Sequence, residues 1–193
     1  PAAVPPVVDG LLDDSAWASA PVATIALRKD DASPAEVSTK AKMCWGADSL
    51  YFAIRCEEPL MGLIRDEVRV PDGPVWGENE VEIFLDVKNE QKAFHQILVN
   101  TLGTLSDFKT DGTSDHKWDS GAKLAVVKSG GAWTLEISLP YSSLGVPLPV
   151  AGAVWGLNLC RVRRVTSPSE YTCLSPTFGM FGKPQRFGQL VFQ

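Results

Sequence analysis

The sequence has no run of 18 or more apolar residues, so no segment reads as a membrane-crossing helix. It has only two histidines; His95 falls in an expected strand and His116 in a loop, neither beside a nucleophile motif, which leaves Ser/His/Asp chemistry without support. Its four cysteines include no CxxC pair, which argues against structural zinc. Basic residues cluster only at Arg161, Arg163 and Arg164, and the formal net charge is −5. That balance argues against nucleic acid and against an anionic membrane surface as partners. Internal repeats and long stretches of 3.6-residue periodicity are also missing. No signal peptide is evident, and Pro1-Ala2-Ala3-Val4-Pro5-Pro6 has the composition of a linker. The expectation is a linker remnant at 1–6 and a single domain over 7–193. That domain would be a module of a longer, exported (secreted, periplasmic or cell-surface) polypeptide, or else a mature chain after signal removal.

Cys44, Cys56, Cys160 and Cys173 allow three pairings if all are bridged. On a hairpin turning at Gly46–Ser49, Cys44 faces roughly Tyr51 rather than Cys56, so that pair is unsuited to a direct bridge. Buried free thiols are the default expectation, because cysteine is among the most buried residue types.

What the chain does have is alternation. In Glu80-Val81-Glu82-Ile83-Phe84-Leu85-Asp86 the apolar Val81, Ile83 and Leu85 point one way, and Glu80, Glu82, Phe84 and Asp86 the other. This is a half-buried strand entered from Trp76, which stands in a loop rich in glycine and proline (Pro71, Gly73, Pro74, Gly77). Val37–Trp45 with Leu50–Cys56, and Ala122–Lys128 with Ala132–Leu139, read as hairpins. Thr24–Leu27, Phe94–Asn100, Val154–Arg164, Glu170–Leu174 and Gly188–Phe192 read as further strands, and Gly103–Asp119 as loop-rich. Asp13 or Asp14 can cap a short helical turn that carries Trp17 inward, and one more helical turn is expected near Pro140–Gly145. Short strands separated by Gly/Pro turns predict an all-β, antiparallel, jelly-roll-like β-sandwich with one or two short helical turns.

Several patterns recur in order along nearly the whole chain. They are Val8-Asp9-Gly10…Trp17…Ala20-Pro21, Asp48-Ser49-Leu50-Tyr51-Phe52, Trp76…Glu80–Asp86, and Gln96…Asn100…Gly103. Trp133–Pro140, Trp155–Arg161 and Pro184…Phe187-Gly188 follow. This succession resembles carbohydrate-binding module family nine, within a broader DOMON-like group. The resemblance implies a non-catalytic extracytoplasmic module, a terminal sugar clamped between two tryptophans, and calcium as a structural ion. Carried over by position, Trp76 matches the first tryptophan and Glu82 the acidic partner. Leu98 stands where those binders have arginine, Cys160 where they have glutamine, and Leu174 near the second tryptophan. Phe178, Phe181 and Tyr171 are possible replacement rings.

The candidate sugar-binding residues are therefore Trp76, Glu80, Glu82, Gln96, Asn100, Asn158 and Arg161. An indole packs on the apolar face of a pyranose, and carboxylates and amides take its hydroxyls; the amides can equally tie down loops. Arg161 and Arg163 suit a uronate or sulfate, or an ion pair with Glu80, Glu82 or Glu136. Trp17, Trp133 and Trp155 have core surroundings; Trp45 borders a turn and Trp118 an acidic loop. Asp107, Asp111 and Asp115, with Asp119 after them, are the candidate calcium ligands, and no organic cofactor is expected. A hydrolytic pair would need carboxyls across a glycosidic bond, whereas Glu80 and Glu82 stand side by side. The expected partners are a polysaccharide or oligosaccharide and other domains of a parent chain. The alternatives are a structural or docking sandwich, and a b-type haem domain built on Met43, His95 or Met180.

Overall fold

A computed structural model describes all residues, 1–193. Twelve strands form one antiparallel hydrogen-bonded sheet folded into two facing layers. They are β1 (Val22–Arg28), β2 (Pro34–Trp45), β3 (Ser49–Glu57), β4 (Glu80–Asp86), β5 (Phe94–Asn100), β6 (Leu105–Thr110), β7 (Ser114–Asp115), β8 (Lys123–Lys128), β9 (Ala132–Pro140), β10 (Val154–Arg163), β11 (Glu170–Cys173) and β12 (Gly188–Val191). The order is β7-β6-β5-β4-β10-β11-β1-β2-β3-β9-β8, with β12 on the other side of β10's first half. Two single-turn helices, α1 (Ser15–Ala18) and α2 (Tyr141–Leu144), complete the chain's regular structure together with three 3₁₀ turns. The expected β-sandwich is the fold observed.

The main core lies between the layers. Val81, Ile83 and Leu85 of β4 meet Phe52 and Ile54 of β3 and Leu135 and Ile137 of β9. These are the apolar half of each alternation, and packing them against one another supplies most of the drive to fold. Trp133 and Trp155 join this core as expected, and Cys44 lies opposite Tyr51 as the hairpin geometry required. All four cysteines are buried, free thiols.

Two expectations on the fold are corrected. Residues 103–119 hold β6 and β7 rather than loop alone; β6 is half polar and near a sheet edge, so no apolar rhythm marks it. Asp14 occupies the N-cap of α1 without capping it, because its carboxylate accepts the Val7 backbone N–H at 3.1 Å.

Long-range polar contacts tie the layers and ends together. Buried Glu136 accepts the Trp17 indole N–H at 2.8 Å and the backbone N–H groups of Asp9 and Gly10 at 3.0 and 2.8 Å. Gly10 itself sits at φ +85°, and a Cβ there would lie 2.9 Å from Val127 Cγ2, so this turn requires glycine. Buried Glu58 accepts from Arg163 Nε at 2.8 Å and from Arg161 at 3.2 Å, while Arg161 also donates to Thr39 Oγ1 at 2.9 Å.

Candidate functional site

Trp76 is the one exposed tryptophan, at 66% exposure. Its 3₁₀ turn, Val75–Gly77, buries Val75 completely and turns the next side chain outward. The segment before β4 is firmly held. Glu78 accepts the backbone N–H groups of Glu67 and Val68 and the Asn100 amide, the last at 2.6 Å. Asp66 accepts from the Asn79 backbone and side-chain N–H groups and from the Thr101 hydroxyl. Arg164, just past β10, donates to the Trp76 carbonyl at 3.0 Å and the Glu78 carbonyl at 3.2 Å. The exposed indole is thus presented on a rigid support.

Beside it the outer face of four strands forms a floor. Register places Leu98, Glu82, Cys160 and Cys173 in one row across β5, β4, β10 and β11, and Asn100, Glu80, Val162 and Tyr171 in the next. Above these rows lies an open cleft of about 630 Å³. Trp76 forms one wall, Tyr171, Met180 and Phe181 the other, and Glu80 and Glu82 reach its floor. A neighbouring cleft on the far side of Trp76 is lined by Gln96 and Leu98, so the indole stands as a ridge between two hollows.

The floor is electrostatically unusual. Glu80 is 1% exposed and no donor outside its pair with Glu82 reaches its carboxyl oxygens. Burial, and then the charge of Glu82, hold its pKa well above the ordinary 4.5; Arg164 opposes this. Glu82 is raised too, again by burial, against a lowering hydrogen bond from the Gln96 amide. The pair titrates as a unit that keeps a proton at neutral pH.

Trp76, Glu80, Glu82 and Gln96 therefore converge, while the other expected site residues do not. Asn100 is fully buried and donates to the Val68 carbonyl as well as to Glu78, while its carbonyl accepts from Leu102 and Thr104. Asn158 exchanges two hydrogen bonds of 3.0 Å with the Ser175 backbone. Both amides tie down the loops that flank the cleft. Arg161 points between the layers to Glu58, not to Glu80, Glu82 or Glu136. Leu174 packs on the main core, so the position near the family's second tryptophan faces away from the cleft.

The expected calcium ligands also separate. Asp107 is buried and accepts the Ser120 N–H at 2.9 Å, whereas Asp115 accepts the Lys117 N–H and pairs loosely with Lys109 at 3.7 Å. Asp111 shares a cleft with Asp115 but not with Asp107. No three His, Cys, Asp or Glu side chains converge to hold a metal ion, so this triad does not fit calcium. The haem alternative fits no better: His95 packs against Trp118 with the rings tilted by 52°, Met180 lines the cleft beside Trp76, and Met43 packs on the core.

Lys29, which lines the cleft, and Arg164 beside it were given no binding role from sequence. Lys29 pairs with Asp30 at 2.6 Å and stands 5.4 Å from the Tyr171 ring centroid, and the Arg164 guanidinium stands 5.6 Å from the same centroid. No local pattern marks them; strand order alone brings β11 beside β10 and β1 beside β11. Of the three replacement rings considered, Tyr171 and Phe181 line the cleft, whereas Phe178 does not.

The family model described as carbohydrate family 9 binding domain-like matches residues 8–193. No curated protein matches the sequence. Among solved structures, a candidate carbohydrate-binding protein from Bacteroides uniformis superposes with a TM-score of 0.78 at 15% identity, covering 96% of this chain and 93% of that one. A carbohydrate binding module family 9 from Caldicellulosiruptor kristjanssonii in complex with cellotriose gives 0.71 at 17% identity, covering 98% and 90%. The same organism's module in complex with glucose gives 0.70 at 18%, covering 100% and 93%. At these identities the likeness establishes the fold.

Proposed function

The chain belongs to the carbohydrate family 9 binding domain-like family, and from that premise we propose that it is a non-catalytic carbohydrate-binding module whose sugar stacks on Trp76. The observation that carries this reading is the exposed indole held rigidly beside the carboxyl pair of Glu80 and Glu82. A large apolar ring left in water at a cleft's edge is a binding surface in waiting. The pyranose would lie against it, with Tyr171 and Phe181 closing the other side. Its hydroxyls would donate to Glu82, the less buried of the two carboxyls, while Gln96 keeps Glu82 oriented. The relatives in complex with cellotriose and glucose support a neutral hexose or its oligomers as the ligand class.

A binding role rather than hydrolysis is favoured by the placement of the carboxyls. Glu80 and Glu82 are two residues apart on one strand and share the cleft floor, whereas glycoside cleavage needs them on opposite sides of the bond. The module would serve as the targeting part of a larger, exported polysaccharide-active protein.

The test is retention on a glycan array and in affinity gels. Wild type is expected to be retained by at least one neutral glycan, and Trp76→Ala to weaken that binding about tenfold or more, the loss of one stacked ring. Thermal unfolding of Trp76→Ala should be unchanged, since the ring is exposed. Failure of wild type to bind any glycan would favour a docking role; unchanged binding by Trp76→Ala would move the site elsewhere.

A further inference from the structure

We propose that Cys160 and Cys173 become joined by a disulfide bond when this chain folds in an oxidising compartment. The two residues are direct partners across β10 and β11. The Leu174 N–H donates to the Leu159 carbonyl at 2.8 Å, which makes Leu159 and Leu174 a hydrogen-bonded pair. One step along, Cys160 and Cys173 are therefore a non-hydrogen-bonded pair, the kind whose side chains approach most closely. That spacing is the one a disulfide can bridge with little backbone movement. Both side chains are fully buried in the small apolar cluster of Phe84, Val162 and Phe181 beneath the cleft. Each thiol perturbs the other: the contact with Cys160 is the largest influence on Cys173 and favours its thiolate, while burial disfavours ionisation of Cys160.

The other two cysteines have no such partner. Cys44 belongs to the cluster around Trp17 and lies opposite Tyr51, while Cys56 sits in the main core opposite Thr39 and Trp133. Of the three ways to pair four cysteines, none is completed by this fold; it offers one bridge and two isolated thiols.

The chemistry requires an oxidant, for which a small-molecule disulfide suffices. The Cys173 thiolate attacks one sulfur of that disulfide and expels a thiolate, giving a mixed disulfide. Cys160, losing its proton, attacks the Cys173 sulfur and expels the second thiolate. Both cysteine sulfurs are oxidised, both oxidant sulfurs are reduced, and the two protons end on the released thiols. Because both sulfurs are sealed in the folded protein, the exchange belongs to folding, before the chain beyond β11 closes over the outer face. The bond then fixes the turn between β10 and β11, which carries Arg164, and anchors the start of the segment bearing Met180 and Phe181. None of this rests on the sugar reading.

The test is to refold the reduced full chain in a glutathione and glutathione disulfide buffer, alkylate free thiols after denaturation, and map the peptides by mass spectrometry. The expected result is two alkylated cysteines of the four, Cys44 and Cys56, with the Cys160 and Cys173 peptides cross-linked and lighter by two hydrogens. The double variant Cys44→Ser/Cys56→Ser should give the same cross-link, and its unfolding midpoint should fall on reduction. Four alkylated cysteines in refolded wild type, or a cross-link in any other pairing, would overturn the proposal.

Discussion

Glu80 and Glu82 take part in none of the ion pairs, and no donor outside the pair reaches the two Glu80 oxygens. A buried carboxyl of this kind keeps its proton in the folded state to higher pH than in the unfolded chain, whose value is near 4.5. Across that interval the folded state binds more protons, so stability falls as pH rises. The thermal midpoint should therefore be highest in mild acid and decline from about pH 5 through neutrality, and Glu80→Gln should flatten the decline and raise the midpoint at pH 8. A wild-type midpoint that climbs from about pH 5 to 8 would contradict the assignment. The same residue shows what a single sequence cannot display. Glu80 stands on the polar side of an alternation, yet it is almost fully buried at the bottom of the cleft between Trp76 and Phe181.

At the scale of elements, the two segments flanking the cleft are held by side chains that do not face it. Asn100, at the end of β5, bonds Val68 and Glu78 on one flank, and Asn158, within β10, bonds Ser175 on the other. Replacing Asn100 by leucine takes one of two donors from the Val68 carbonyl and one of three from the Glu78 carboxylate, and leaves the Leu102 and Thr104 N–H groups without their acceptor. The cost should be about 2–4 kcal/mol in urea unfolding, several buried groups losing partners together. Arg164 tests positioning separately. Arg164→Ala keeps every aromatic wall but frees the Trp76 and Glu78 carbonyls, so glycan binding should weaken several-fold while the indole remains. Rescue by Arg164→Lys should be partial, since a lysine cannot reproduce the two-pronged contact. The limits of β4 and β5 were legible to the residue, β4 from its strict alternation and β5 from an apolar run bounded by polar turn residues. β6 was not legible: its buried polar residue, Asp107, is satisfied by Ser120, thirteen positions away.

For the molecule as a whole, one ionic cluster and one core fasten the layers. Glu58 follows β3, whereas Arg161 and Arg163 belong to β10, and all three are almost fully buried. Glu58→Ala would leave two buried guanidinium groups without their shared carboxylate, although Arg163 keeps Glu36 at 3.0 Å. The expected loss is about 3–5 kcal/mol, read as a lower denaturant midpoint. Replacing the three residues together by apolar ones of similar volume should recover most of that loss. If Glu58→Ala unfolds at the wild-type midpoint, the cluster does not fasten the layers.

Alternation within short strands separated by Gly/Pro turns determined the fold class, and Asp9-Gly10 the turn, by themselves, whereas the exposure of the Trp76 ring was decided by the tertiary structure. Strand faces and turn conformations follow from covalent geometry acting over a few residues. What tertiary structure decided are the partnerships: Glu136 with Trp17, Glu58 with Arg161, Asn100 with Val68, and Cys160 with Cys173. It also decided that Tyr171 and Phe181, rather than Leu174, face Trp76 across the cleft. These depend on strand order and register, which bring distant segments side by side, and no local period records which segment a polar face will meet.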